Sequence, residues 1–260
     1  MSLAVVTGAS SGIGRELAFQ CASHGHDLIV VAEDDGIEAI AATLRETGSA
    51  VTAVQADLTR TKGVKAVHQA ITDSGVPADV LVLNAGRGIG GPFADTSLPD
   101  ELAVIDLDVR STVHLAKLVV PAMARAGRGR VLFTSSIAAT MPGPNQAVYN
   151  ASKAFVQSFA LALRSELADH GVTVTTLMPG PTATSFFERA RMLDTPIGSK
   201  PTDDPADVAR QGYEALMAGR ERVVASSLAT KLQGRASRLL PDRVKAELHK
   251  RMAAPGGAQH

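Results

Sequence analysis

Tyr149 and Lys153 stand four residues apart in Y-N-A-S-K, and Ser136 lies thirteen residues upstream of the tyrosine. Four residues is about one helical turn, so the phenol and the ammonium share a helix face. A phenol ordinarily ionises at about pH 10, too high for efficient proton exchange near neutrality. A neighbouring ammonium favours the phenolate and lowers that value. Ser136 adds a hydroxyl that can hydrogen-bond a substrate oxygen; as a strand-end residue it can also simply cap the loop that follows. Ser135 beside it reads as the bland member of the pair. The chemistry these three support is proton exchange with an oxygen, and a redox step of that kind needs a separate carrier of electrons.

The other end of the chain offers a place for such a carrier. Residues 7–14 read T-G-A-S-S-G-I-G, with Gly8, Gly12 and Gly14 framing Ser10, Ser11 and Ile13. Glycine lets the backbone approach a pyrophosphate, whose charge sits at a helix N-terminus. The spacing is not the G-x-G-x-x-G of other dinucleotide folds. Alone it fits a tight connection equally well, but its place between a first strand and a helix points to a dinucleotide. The second strand ends in Ala32-Glu33-Asp34-Asp35. An acid there accepts hydrogen bonds from the ribose hydroxyls of NAD and repels the 2′-phosphate of NADP. The same acids can cap the next helix. No arginine follows them, so NAD is expected; NADP would require a phosphate-binding residue from elsewhere, such as Arg15. Asp57, after the third strand, is placed to meet an adenine amino group or to cap a helix.

These residues need a frame, and the pattern supplies one. Strands are expected at Leu3–Thr7, Asp27–Ala32, Val51–Gln55, Val80–Leu83, Arg130–Phe133, Val172–Leu177 and Arg222–Val224. Helices are expected between them, at about Gly12–His24, Gly36–Glu46, Lys62–Asp73, Pro99–Met123, Ala147–Ala168 and Asp207–Met217, with Pro121 kinking the long one near its end. Strand alternating with helix implies an α/β fold: one doubly wound parallel sheet of about seven strands with helices on both faces. No linker or repeat divides the chain, so residues 1–260 read as a single domain. The irregular stretch 184–205 is expected to cover the substrate, and two short helices split at Pro241 are expected in the extension 226–260.

Composition removes several classes. Lys+Arg and Asp+Glu both number 26, and that balance leaves no basic stripe for nucleic acid. The single cysteine, Cys21, excludes an internal disulfide. The seven histidines show no metal-ligand spacing, so no metal is expected; His24 and His26 merely flank a helix-ending glycine. No apolar run is long enough for a membrane span, and the first strand begins at once, so a cytoplasmic location is expected.

Together these motifs resemble the short-chain dehydrogenase/reductase family over about residues 3–225. T-G-A-S-S-G-I-G is similar to its cofactor turn, Asp57-Leu58 to its adenine motif, and Asn84-Ala85-Gly86 to its N-A-G segment. Ser136, Tyr149 and Lys153 resemble its catalytic residues, and Pro179-Gly180 with Thr182 and Thr184 the segment that holds the nicotinamide carboxamide. The resemblance implies that Tyr149 exchanges the proton of a substrate hydroxyl while hydride passes to or from a nicotinamide. It implies also that Lys153 binds the nicotinamide ribose and that Ser136 polarises the substrate oxygen. One position departs: Asp108 stands where the family usually carries asparagine. At a separation of about 6 Å, a carboxylate there would attract Lys153 and raise the Tyr149 pKa. An NADP-dependent ketoreductase and a cofactor-binding protein of low turnover, the latter motivated by Asp108, are the rival readings.

The substrate is expected to be a secondary alcohol or ketone with an apolar body. Phe186, Phe187, Met192, Leu193, Ile89 and Phe93 either line its pocket or pack a lid. Arg189 and Arg191 could meet an acidic substrate, but on a surface helix they are expected to be solvated. The basic stretch Arg235–Arg251 could touch a membrane or partner, but its interspersed acids point to a packed, solvated helix pair. The resemblance implies a homodimer or homotetramer built on the two long helices.

Overall fold

The computed structural model describes residues 2–200, 203–225 and 240–259. Seven parallel strands form one sheet in the order β3-β2-β1-β4-β5-β6-β7. They are β1 Ser2–Thr7, β2 His26–Ala32, β3 Val51–Gln55, β4 Ala78–Leu83, β5 Gly129–Thr134, β6 Val172–Pro179 and β7 Arg222–Ala225. Central strands in such a sheet are covered on both faces, so their sequences run apolar throughout instead of alternating. β1 illustrates it: Leu3 and Val5 enter one core while Ala4 and Val6 enter the other.

Helices α1 (Gly12–Ser23), α2 (Gly36–Arg45) and α9 (Pro205–Met217) cover one face, with Leu17, Leu44 and Leu216 buried against it. Helices α3 (Thr61–Asp73), α5 (Thr112–Ala126) and α6 (Ala147–Glu166) cover the other, with Val67, Met123 and Val156 buried there. Strand order reverses between β1 and β4, which opens a crevice beyond their carboxyl ends. Every residue singled out for chemistry sits at or near that edge.

The expected long helix over Pro99–Met123 is not uniform. It begins as α4 (Leu98–Val104), where Ser97 accepts the Asp100 N–H and Pro99 occupies the first turn. It widens to a π-helix over Ile105–Ser111 and resumes as α5. The helix continues through Pro121 to Ala126, and Gly127 at φ +67° ends it. Two short helices, α7 (Phe186–Arg189) and α8 (Pro196–Ser199), interrupt the stretch expected to be irregular. Of the C-terminal pair, α10 (Asp242–Met252) is present; the other falls at 226–239, outside the described residues.

Candidate active site

The glycine turn has its sequence for steric reasons. Gly8 and Gly12 adopt φ of +66° and +55°, the region that favours glycine. A Cβ on Gly14 would stand 2.0 Å from the Gly8 carbonyl oxygen, so α1 could not pack this close with any other residue. The turn forms one end of a cavity of about 1600 Å³. Ser10, Ser11 and Ile13 line it, as do Leu58, Asn84, Ala85, Gly86, Pro179, Gly180, Thr182 and Thr184.

At the end of β2, the acids do not cap α2. Asp35 occupies the N-cap position without a side-chain bond, and Asp34 instead accepts from the Ser10 hydroxyl at 2.7 Å. Glu33 is exposed and lines the cavity with Asp34. Arg15 is paired with Glu16 at 2.6 Å and is not part of the cavity wall. Asp57 accepts from Thr59 N–H at 2.9 Å and Thr59 Oγ1 at 2.6 Å, while its neighbours Ala56, Leu58 and Thr59 form the wall. Asn84 is a brace: its amide donates to the Thr7 carbonyl at 3.2 Å and its oxygen accepts from Thr134 at 3.1 Å. That ties β1, β4 and β5 together, while Asn84 shares the cavity edge with Ala85 and Gly86.

Tyr149 and Lys153 lie on the first turns of α6, where Ser135 fixes the helix by donating to the Lys153 carbonyl at 2.8 Å. Ser135 is therefore a positioning residue, a role its sequence context did not signal. Ser136 accepts the Ala138 N–H at 3.1 Å, and its hydroxyl acts on Tyr149 in the sense that lowers the phenol's pKa, so it caps the loop and also influences the tyrosine. Lys153 Nζ lies 5.7 Å from the centre of the Tyr149 ring.

The π-helical turn presents Asp108 directly to this pair. Asp108 Oδ2 is 3.0 Å from Lys153 Nζ, half the separation expected from the sequence, and both side chains are almost wholly buried. Asp108 also accepts the Arg87 N–H at 2.8 Å and the Ser152 hydroxyl at 3.3 Å. Gly86 makes room, since a Cβ there would come within 2.8 Å of Lys153 Nζ. A buried ion pair of this kind is held by close geometry and extra hydrogen bonds, and both are present.

The electrostatics revise the expectation of an acidified phenol. Burial pushes the Tyr149 pKa up, Lys153 pulls it down, Asp108 pushes it up again and the Ser136 hydroxyl lowers it; the net direction is upward. For Lys153, burial disfavours the ammonium, but Asp108 and Tyr149 more than offset it and its pKa rises. Lys153 thus remains a cation, with much of its field directed at Asp108. Replacing Asp108 with Asn should free that field. The pH–rate profile for alcohol oxidation is expected to move to lower pH. Removing about 1 kcal/mol of repulsion would raise the rate near neutrality roughly fivefold. Superimposable profiles for the two proteins would remove Asp108 from the account.

The family model described as short chain dehydrogenase matches residues 2–193. The chain belongs to the short-chain dehydrogenase/reductase family. It is 32% identical over 226 residues to the 3-oxoacyl-[acyl-carrier-protein] reductase of Synechocystis, covering 86% of this chain and 89% of that protein. It is 34% identical over 221 residues to the glycine betaine reductase ATRR of Emericella nidulans; that match spans 82% of this chain and 17% of the larger protein. Among solved structures, a short-chain dehydrogenase from Sphingobium yanoikuyae in complex with NADPH superposes with a TM-score of 0.81 at 29% identity, covering 94% of this chain and all of that one.

Short-chain dehydrogenases are NAD(P)-dependent oxidoreductases, and in this member the wall opposite the Y-x-x-x-K pair comes from the C-terminal third. The Phe186 ring sits 5.2 Å from the Tyr149 ring, and Phe186 and Phe187 line the cavity. The other four apolar candidates do not: Met192 and Ile89 are buried, and Leu193 and Phe93 are exposed. Arg189 is not a solvated bystander, since it donates to Ser11 in the glycine turn at 3.1 Å. Arg191 stays outside, 3.4 Å from Asp100. In the described part of the basic C-terminal stretch, α10 is largely exposed but turns Lys245, Leu248, His249 and Met252 toward the cavity. Their spacing of three, four and seven is a helical face that the sequence did show.

Proposed function

We propose that the protein moves hydride between a nicotinamide dinucleotide, NAD in preference to NADP, and the carbinol carbon of a secondary alcohol or ketone. The observation that carries this reading is that the Tyr149 and Ser136 side chains and the glycine turn face one cavity. The dinucleotide fits because the Gly8–Gly14 cradle is closed to any residue with a Cβ. When bound, the nicotinamide supplies or accepts the hydride.

The chain's residues do the rest. Tyr149 exchanges a proton with the substrate oxygen, Ser136 holds that oxygen by hydrogen bonding, and Lys153 meets the nicotinamide ribose and biases Tyr149 toward the phenolate. Gly8, Ser10, Ser11, Gly12, Ile13 and Gly14 cradle the phosphates. Leu58 and the backbone about Asp57 and Ala85 face the adenine side, and Thr182 and Thr184 meet the carboxamide. NAD is favoured by Glu33 and Asp34 on the wall at the end of β2, with Arg15 turned to Glu16.

Fluorescence titration with NADH and NADPH tests the preference. NADH is expected to bind more tightly, and Glu33→Gln to improve NADPH affinity roughly tenfold, about 1.4 kcal/mol, with less effect on NADH. Equal affinities in the parent protein would refute the assignment. A panel of secondary alcohols and ketones with the better dinucleotide then tests turnover. The buried Asp108–Lys153 contact at 3.0 Å favours a second reading, a dinucleotide-binding protein of low turnover; binding without turnover across the panel would select it.

The same reading makes residues 1–260 one catalytic domain with 184–205 over the substrate. It places a second copy of the chain against α6 and against α4 with the π-helix that follows it, where Leu102, Ile105 and Phe155 are exposed, as a homodimer or homotetramer. A cytoplasmic location accords with the single buried, unpaired Cys21, and no described helix is long and apolar enough to cross a membrane.

A further inference from the structure

We infer that α10 gives the cavity a binding site for an anionic group, a carboxylate, on the substrate at a distance from the reacting carbon, with His249 and Lys245 as its ligands. This rests on the hydride-transfer reading and adds the substrate's second functional group. Three independent observations point to it.

The first is the distribution of charge on the wall. Besides Lys153, six cations line the cavity: Arg87, Arg189, Lys200, Arg222, Lys245 and Arg251. Among the described residues, the only lining acids are Glu33 and Asp34, both at the end of β2. Arg189 lies beside the glycine turn through its bond to Ser11. Away from β2, Arg87, Arg222 and Arg251 are paired with Asp100, Glu221 and Glu247 behind the wall. Among the described residues the cations that line the cavity still outnumber the acids that do, and a wall so charged favours anions.

The second is His249. It is 2% exposed, and its Nε2 has no hydrogen-bond partner among the described residues. A buried polar atom without a partner is costly, and natural proteins keep few of them without a function. Burial lowers the His249 pKa, so the imidazole is neutral near neutrality, with one ring nitrogen carrying a proton to donate.

The third is Lys245, one turn earlier on the same face. Its side chain is 14% exposed and its one ion-pair partner, Asp242 at 3.2 Å, is 78% exposed. An ion pair to so open a carboxylate contributes little, and a substrate carboxylate arriving from the cavity side can replace it.

The helix is fixed where this requires. Asn145, four residues before Tyr149, donates to the Ala253 carbonyl at 3.2 Å. Asp194, just before α8, accepts the Gly256 N–H through its side chain at 2.8 Å and the Ala258 N–H through its carbonyl at 3.0 Å. Ala253 packs with Phe187, Ala190 and Met192 in a small core of its own. The chain just after α10 is therefore bound both to the covering segment and to the loop that leads into the catalytic tyrosine, which anchors the helix at its C-terminal end.

The test uses methyl ketones bearing a terminal carboxylate, from levulinate upward in chain length, each beside its methyl ester. Affinity is measured for the complex of the full protein with oxidised NAD, and kcat/KM is measured with NADH. At the best chain length the carboxylate is expected to bind at least about tenfold more tightly than its ester. His249→Phe and Lys245→Gln should each erode that ratio while NAD affinity, which reports an intact fold, is retained. Equal binding of acid and ester across the series, or a ratio that survives both substitutions, overturns the inference. Reduction of the ketones without preference sinks this site and leaves hydride transfer standing. Preferential binding of the acids without reduction does the reverse.

Discussion

Tyr149→Phe is expected to lower both alcohol oxidation and ketone reduction by about two to four orders of magnitude, the usual worth of a positioned acid–base group. Dinucleotide affinity should stay within about threefold of the parent, because the change removes one oxygen and little packing surface. The ring keeps its neighbours: Phe186 lies 5.2 Å away, and Gly88 is so close that a Cβ there would be 3.4 Å from Tyr149 Cδ2. Ser136 keeps the Ala138 N–H. In the parent protein, the raised Tyr149 pKa sets the sign of the pH dependence. Oxidation uses the phenolate and should climb with pH through and above neutrality, while reduction uses the neutral phenol and should not. A Phe variant that kept its rates within about tenfold would leave the proton exchange to some other group.

The parts of this site that were legible in the sequence are those fixed by short-range geometry. The Tyr149–Lys153 spacing puts two groups on one helix face wherever that helix packs. Gly8, Gly12 and Gly14 announce a turn because few other residues can make it. The central strands read cleanly because strands buried on both faces have little choice of side chain. The strand bounds needed only small corrections, such as β2 starting at His26 and β4 at Ala78.

What the sequence concealed depends on contacts made at long range. Nothing local marks Ile105–Ser111 as a π-helix, yet that widened turn carries the carboxylate held 3.0 Å from Lys153. A charge estimate at the wrong distance had the right sign and missed the direct ion pair. Asn84 reads as a cofactor residue by its motif, but only the assembled sheet shows its side chain bridging three strands. α10 carried an amphipathic face in plain view, but helical spacing does not say whether a face meets a core, a partner or a substrate.

The Lys153–Asp108 pair makes a claim about stability that can be separated from catalysis. Lys153→Met would leave the Asp108 carboxylate buried without its cation, holding only the Arg87 N–H and the Ser152 hydroxyl. Loss of one member of such a pair costs about 3 kcal/mol or more, which for a chain of this size lowers Tm by roughly 6–12 °C. Adding Asp108→Leu removes the stranded charge, so the double variant should recover most of that loss despite carrying two changes. Its activity should not recover, because no cation remains to bias Tyr149 toward the phenolate. A structural lysine would lose and regain both properties together. If Lys153→Met alone left Tm within about 2 °C of the parent, the pair would not be the buried, mutually dependent unit that its geometry describes.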